Sequence, residues 1–239
     1  MSNNFFRFKQ FTIQQERCAM KVCTDACILG AWTANTIDPS FVKNILDIGC
    51  GTGLLSLMLA QKIDANIDAI EINKEAASQA EENISNTAWS KNIQAIHTSL
   101  QDFVPLKKYE LIISNPPFYE DDLRSGDEHK DAAKHDTTLK LEELILFIKK
   151  QLSDKGIFAV LLPFQRVDYF EKKVNEHGLF LQEKLLIKQS PQHDFFRAVI
   201  FVSKHETLSP LTIELIIHDN ERQYTGPFKK LLEDYYLKL

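Results

Sequence analysis

Residues 44–62 read "NILDIGCGTGLLSLMLAQK". A short apolar run ends at Asp47 and Gly49, glycines recur at 51 and 53, and good helix formers follow. The run has the length and punctuation of a buried strand. Glycines at alternate positions let the backbone turn tightly and approach a ligand without Cβ clashes. The near-continuous apolar stretch "GLLSLMLAQK" predicts a buried helix. Strand, glycine loop and helix, in that order, open an α/β unit at the edge of the sheet where such units bind nucleotides.

The chain repeats the alternation outward from this stretch. Strands are expected at "IDAIEI" (67–72), "NIQAIHT" (92–98), "YELIIS" (109–114) and "GIFAVLLP" (156–163). Helices are expected at "KEAASQAEENIS" (74–85), with Ala76, Ala77, Ala80 and Ile84 as its inner face, at "LEELILFIKKQLS" (141–153), and over about 164–176, closed by Gly178. "LFLQEKLLIK" (179–188) and "FRAVIFVSK" (196–204) follow one another with no helix between, so one of them runs antiparallel. The expectation is an α/β fold: a mostly parallel seven-stranded sheet, helices on both faces, and an antiparallel strand near the C-terminal end. One domain is expected over 1–239, with an N-terminal extension (1–43), a core (44–204) and a C-terminal strand, "LTIELIIHD", and helix (205–239).

Composition narrows the classes. With 239 residues, 44% hydrophobic and 26% charged, the chain can bury a core without disulfides or metals. No apolar run approaches the roughly 20 residues of a membrane span, and "MSNNFFRFKQ" lacks the features of a signal peptide. A cytoplasmic location, with no membrane and no obligate protein partner, is the expectation. Cys18, Cys23 and Cys27 do not have the C-x3-C-x2-C spacing of a radical iron–sulfur site, so they and Cys50 read as small, mostly buried residues, and no metal is expected. The net charge of −5 argues against nucleic-acid binding by bulk charge, though not against a local basic face. One candidate is the stretch 1–24, where Arg7, Lys9, Arg17 and Lys21 oppose Glu16 alone and interleave with Phe5, Phe6, Phe8 and Phe11. An apolar strap packed on the core is the equal alternative.

A dinucleotide site would need a third glycine where Leu54 stands. The pattern present is instead Asp47-x-Gly49-x-Gly51-x-Gly53. At the end of the second strand, Glu71, with Ile72 beside it, can accept hydrogen bonds from both hydroxyls of a ribose. This pattern resembles motif I of the class I S-adenosylmethionine-dependent methyltransferases, which implies a Rossmann-like fold and S-adenosyl-L-methionine as cofactor. Asp102 in "SLQDF" matches the position of an acid that contacts the adenine amino group in that superfamily.

The second motif is "LIISNPPFYE" (111–120). The fourth strand borders the same crevice, so Asn115 should face the cofactor's methyl group. An amino group conjugated to a ring is a poor nucleophile because its lone pair is delocalised. The Asn115 side-chain oxygen and the Pro116 carbonyl can hold its two hydrogens so that the lone pair points at the methyl carbon. Pro116 and Pro117 stiffen the loop, and Phe118 offers a face for a planar target; base–aromatic stacking is worth about 1–3 kcal/mol. The motif resembles that of methyltransferases acting on adenine N6, guanine N2 or glutamine N5.

Only 46 residues precede Asp47, too few for the helical domain of the glutamine enzymes. No sizeable target-recognition region of a DNA enzyme, and no second domain of the ribosomal guanine enzymes, is evident. "FRFKQFTIQQERCAMKVCTDACILGAW", "DIGCGTGLLSLMLAQ", "LIISNPPFY", "TTL" and "YYL" together resemble the bacterial tRNA1(Val) (adenine-37-N6)-methyltransferase family over nearly the whole chain. The resemblance implies methylation of N6 of adenosine 37 in a tRNA anticodon loop, and it places Lys21, Thr24 and Asp25 near the methionine end of the cofactor. One segment fits RNA poorly: within 119–137, Glu120, Asp121, Asp122, Asp127, Glu128, Asp131 and Asp136 outnumber Arg124, Lys130 and Lys134. It reads as a solvated loop or a lid.

Overall fold

The computed structural model describes residues 3–18, 20–116 and 141–239. The glycine-loop strand, β3 (Asn44–Ile48), lies inside the sheet, with the parallel strands β4 (Asn66–Glu71) and β6 (Tyr109–Ser114) on its two sides. β5 (Ile93–His97) continues one flank in parallel. On the other flank, β7 (Leu152–Pro163) runs parallel to β6, and β9 (Phe195–Ser203) runs antiparallel both to β7 and to β8 (Phe180–Lys188). The expected antiparallel strand is β9. The sheet carries one strand more than expected, because β10 (Leu211–Ile216) adds to the free edge of β8 in parallel, giving the order β10-β8-β9-β7-β6-β3-β4-β5. The C-terminal strand thus covers an edge that β8 would otherwise expose.

Side chains alternate across the sheet and so divide the core into two layers. Ile45, Leu111, Ile113 and Ala159 face one layer with the helices α1 (Thr24–Thr36), α2 (Leu54–Ala60) and α3 (Lys74–Ser85). Leu46, Ile48, Ile112, Phe158 and Val160 face the other, with α4 (Leu141–Gln151) and α5 (Val167–Glu176). Asn73 starts α3 by accepting the Ala76 N–H at 3.0 Å, and Ala76, Ala77, Ala80 and Ile84 form its buried face as expected. The terminal helix is short: α6 spans Gly226–Leu232, capped by Thr225.

The N-terminal stretch forms a small hairpin, β1 (Phe5–Arg7) with β2 (Thr12–Gln14). Phe8 and Phe11 are buried and stack at 4.6 Å, and Phe8 bridges to Tyr236 near the C-terminus. The packing reading therefore holds for these rings. Two of the cations are also engaged. Lys9 donates to the Glu233 carbonyl, while Arg17 bonds Gln79 and Glu82 of α3. Among the described residues, no helix is long and apolar enough to cross a membrane, and no group of side chains could hold a metal ion.

Candidate active site

The loop between β3 and α2 turns through three left-handed residues, Gly49 (φ 71°), Gly51 (φ 56°) and Gly53 (φ 80°). Only glycine adopts such backbone without strain. A Cβ on Gly49 would meet nothing within 4 Å, so the loop borders a hollow. Gly53, the residue before α2, has no side chain with which to cap the helix. Asp47 takes over that task, its Oδ2 accepting the Ser56 N–H at 3.1 Å and the Ser56 hydroxyl at 2.7 Å. Asp47 is fully buried, its Oδ1 has no partner among the described residues, and burial pushes its carboxyl up to about 7.

Glu71, at the end of β4, grips the loop. Its Oε2 accepts the Gly51 N–H at 2.9 Å and its Oε1 accepts the Asn73 N–H at 2.8 Å. Ile72 beside it is 55% exposed, an apolar surface beside the crevice that the core does not use. Asp102 follows β5 in an exposed turn, accepting the Ser99 hydroxyl at 2.6 Å. Glu71 and Asp102 thus stand on this side of the crevice as carboxylates, which disfavours a pyrophosphate and suits a cationic or neutral ligand.

Ser114, the last residue of β6, sits beside Ile48 in the register and donates its hydroxyl to the Ile48 carbonyl at 2.8 Å. This bond ties the ends of β3 and β6 together, so Asn115 and Gly49 emerge side by side. The Asn115 Nδ2 lies 3.7 Å from the Met20 sulfur, a weak contact, and among the described residues its Oδ1 has no hydrogen-bond partner. Pro116 follows, half-buried. Pro117, Phe118 and the acidic segment 119–137 lie outside the described residues.

The N-terminal strap also passes the hollow. Asn83 of α3 accepts the Gln14 N–H at 2.9 Å and donates to the Gln14 and Thr52 carbonyls, both at 2.9 Å, fixing the strap to the glycine loop. The Cys18 sulfur lies 3.7 Å from where a Gly51 Cβ would stand. Lys21 is exposed and reaches the Asn3 carbonyl at 3.3 Å. Thr24 begins α1 close to Tyr236, while Asp25 accepts from Arg197 of β9 at 3.0 Å. These contacts tie α1 to β9 and to the C-terminal segment. Cys23 and Cys27 are pushed up to about 12, chiefly by burial, and so remain thiols. Sequence reading did not single out Ser56, Asn83, Met20 or Arg197. The Asp47–Ser56 spacing, which puts a hydroxyl in the first turn of α2, was the one local signal.

Residues 31–158 match the family model for the methyltransferase small domain. The chain is 40% identical to a tRNA1(Val) (adenine(37)-N6)-methyltransferase of Trichodesmium erythraeum, with both chains fully covered. It is 41% identical to a protein of the same name from Dyadobacter fermentans, over 99% of this chain and 98% of the other. Among solved structures it resembles a predicted O-methyltransferase from Agrobacterium tumefaciens (TM-score 0.67, 19% identity, 88% and 96% covered). It also resembles P. horikoshii TYW2 in complex with MeSAdo (TM-score 0.60, 15% identity, 86% and 74% covered). At those identities the two structures bear on the fold alone, a class I methyltransferase fold. Identity over the full length goes further: the chain belongs to the tRNA1(Val) (adenine(37)-N6)-methyltransferase family, whose methyl donor is S-adenosylmethionine.

Proposed function

We propose that this chain transfers a methyl group to the exocyclic N6 of adenosine 37 in the anticodon loop of tRNA1(Val), working in the cytoplasm. The observation that carries the chemistry is the Ser114–Ile48 bond, which sets Asn115 beside the glycine loop, its Oδ1 without a partner among the described residues. The full-length relatives of that name support the substrate.

S-Adenosylmethionine, when bound, supplies an electrophilic methyl on a sulfonium. Residues of the glycine loop fit that cofactor, since Gly49 leaves its hollow open and Glu71 can accept from ribose hydroxyls with the lone pairs not used on Gly51 and Asn73. Ile72 offers an apolar contact and Asp102 an acceptor for an amino group. In this reading Lys21, Thr24 and Asp25 border the methionine end. The Asn115 Oδ1 and the Pro116 carbonyl accept the two amino hydrogens of the target, turning its lone pair toward the methyl. No base is needed before transfer, because the amine becomes acidic only once methylated. Orientation of this kind can supply roughly 7–11 kcal/mol of the barrier. Pro117 and Phe118, outside the described residues, complete the sequence motif, and in this reading the ring of Phe118 takes the base.

Mass spectrometry of nucleosides from tRNA treated with protein and cofactor is the test. N6-methyladenosine at the anticodon loop is expected. Methylated guanosine, or label only in protein, would replace this substrate with another amino group.

A further inference from the structure

The C-terminal edge of the sheet continues beyond β7. Because β9 runs antiparallel and β8 antiparallel to it, the start of β9 and the end of β8 lie at the same edge as Asn115. Lys188 ends β8 and Phe195 opens β9, paired across the hairpin. The hairpin turn is held by the His193 N–H to the Ser190 carbonyl at 3.1 Å and by the Ser190 hydroxyl with His193 Nδ1 at 2.7 Å. The Lys188 ammonium sits 4.3 Å from the Phe195 ring centroid, and Phe164, which follows β7, packs its ring 5.2 Å from Phe195. Two half-buried rings thus seat one cation at the rim.

Other cations near the site are already engaged. Arg197 is paired with Asp25, Arg17 with Glu82, and Lys184 with Glu171. Among the described residues, no carboxylate lies within ion-pair distance of Lys188. A ring face orients an ammonium without neutralising it, so Lys188 keeps its charge for an anion. Across the sheet Lys188 is three strand spacings from Asn115, about 14 Å, and by the register it stands three residues, about 10 Å, further along the strand direction. A base extruded into the crevice stays joined to its chain, whose neighbouring phosphates then pass over the rim.

We propose that Lys188, seated over Phe195, contacts a backbone phosphate of the tRNA beside the target nucleotide. The proposal rests on the tRNA reading above. A point charge on phosphate positions the nucleic acid without reading its sequence. It should therefore act on tRNA affinity and its salt dependence, not on chemistry.

The experiment compares wild type with Lys188→Ala, Lys188→Gln and Lys188→Arg, using purified tRNA, S-adenosylmethionine and a salt series. The neutral variants should raise KM for tRNA about threefold or more while leaving kcat and cofactor affinity unchanged. Loss of one phosphate contact lowers the slope of log affinity against log salt by about 0.7, so the neutral variants lose roughly threefold less affinity than wild type between about 50 and 200 mM. Lys188→Arg should restore both. An unchanged slope in both neutral variants, or a change confined to kcat, overturns the phosphate contact while the tRNA reading stands. A wild-type protein that leaves tRNA unmethylated overturns both readings at once.

Discussion

The two halves of the crevice differ in how many of their polar groups are already committed. On the side of β3, β4 and β5, Asp47 is bound by Ser56, Glu71 by Gly51 and Asn73, and Asp102 by Ser99. On the side of β6, β7, β9 and β8, the Asn115 oxygen and the Lys188 ammonium have no such partners among the described residues. The first half is shaped before anything binds, as suits a small ligand held in one pose. The second leaves one acceptor and one cation open, as suits a base carried on a polyanion. Under the proposed function, pre-formed acids on one side and open groups on the other would separate methyl donor from acceptor.

The contrast is tested most severely at Asn115. In the proposed mechanism, replacing it with Ala removes an acceptor for the target's amino hydrogens, and turnover should fall on the order of 10²–10³-fold, the scale seen when one pre-organised hydrogen-bonding group is lost. Cofactor affinity, measured by calorimetry, should stay within about threefold. A comparable loss in cofactor affinity would merge the two halves. A chain that merely binds the cofactor would show no turnover to lose.

Asp47 comes next, because it anchors the pre-formed half. Its folded value of about 7 stands above the ordinary 3.8, so between these pH values the folded protein holds a proton that the unfolded chain releases. The resulting stability is complete below about pH 4 and is lost as pH rises through 7. A shift of this size has a ceiling of about 4 kcal/mol. Denaturation of the cofactor-free protein should show stability falling across that window, and Asp47→Asn should flatten the fall. Parallel pH profiles for the two proteins would mean that Asp47 is already ionised in the fold.

Glu71 sharpens the same half. A hydrogen bond to a charged group contributes about 1.5–3 kcal/mol, so Glu71→Ala should weaken cofactor binding roughly 10- to 100-fold. Turnover at saturating cofactor should change far less. A loss confined to turnover would move Glu71 out of the cofactor's reach and into the chemistry.

What was legible in the sequence follows the range of the interactions. The Asp47–Gly53 loop and the strand ending at Asn115 are local patterns, readable from apolar runs cut by glycine or proline, and their adjacency follows from the rules of parallel sheets. The cap role of Asp47 was hidden, because an acid before a glycine loop reads equally well as a ligand contact. Lys188, Phe195 and Phe164 come from three segments and meet only through the order β8-β9-β7. Asp25 and Arg197 are 172 residues apart. No periodicity reports such pairings. The eighth strand was visible as a strand, but its parallel seat on β8 depends on a connection that no local signal fixes.

Arg17 gives the smallest effect and the cleanest control on where the RNA lies. The basic stretch 1–24 and the Lys188 rim are rival seats for phosphate. Arg17, which bonds Gln79 and Glu82, has a side chain 35% exposed, and that of Glu82 is 50% exposed. Such a pair contributes about 0.2–1 kcal/mol. Arg17→Ala should therefore lower stability by less than about 1 kcal/mol in chemical denaturation. The salt slope for tRNA should match wild type, because a guanidinium held by a carboxylate must break that pair before it can take a phosphate. A slope reduced as far as in Lys188→Ala would place the nucleic acid across the strap as well, and the division between a committed half and an open half would then fail on its acceptor side.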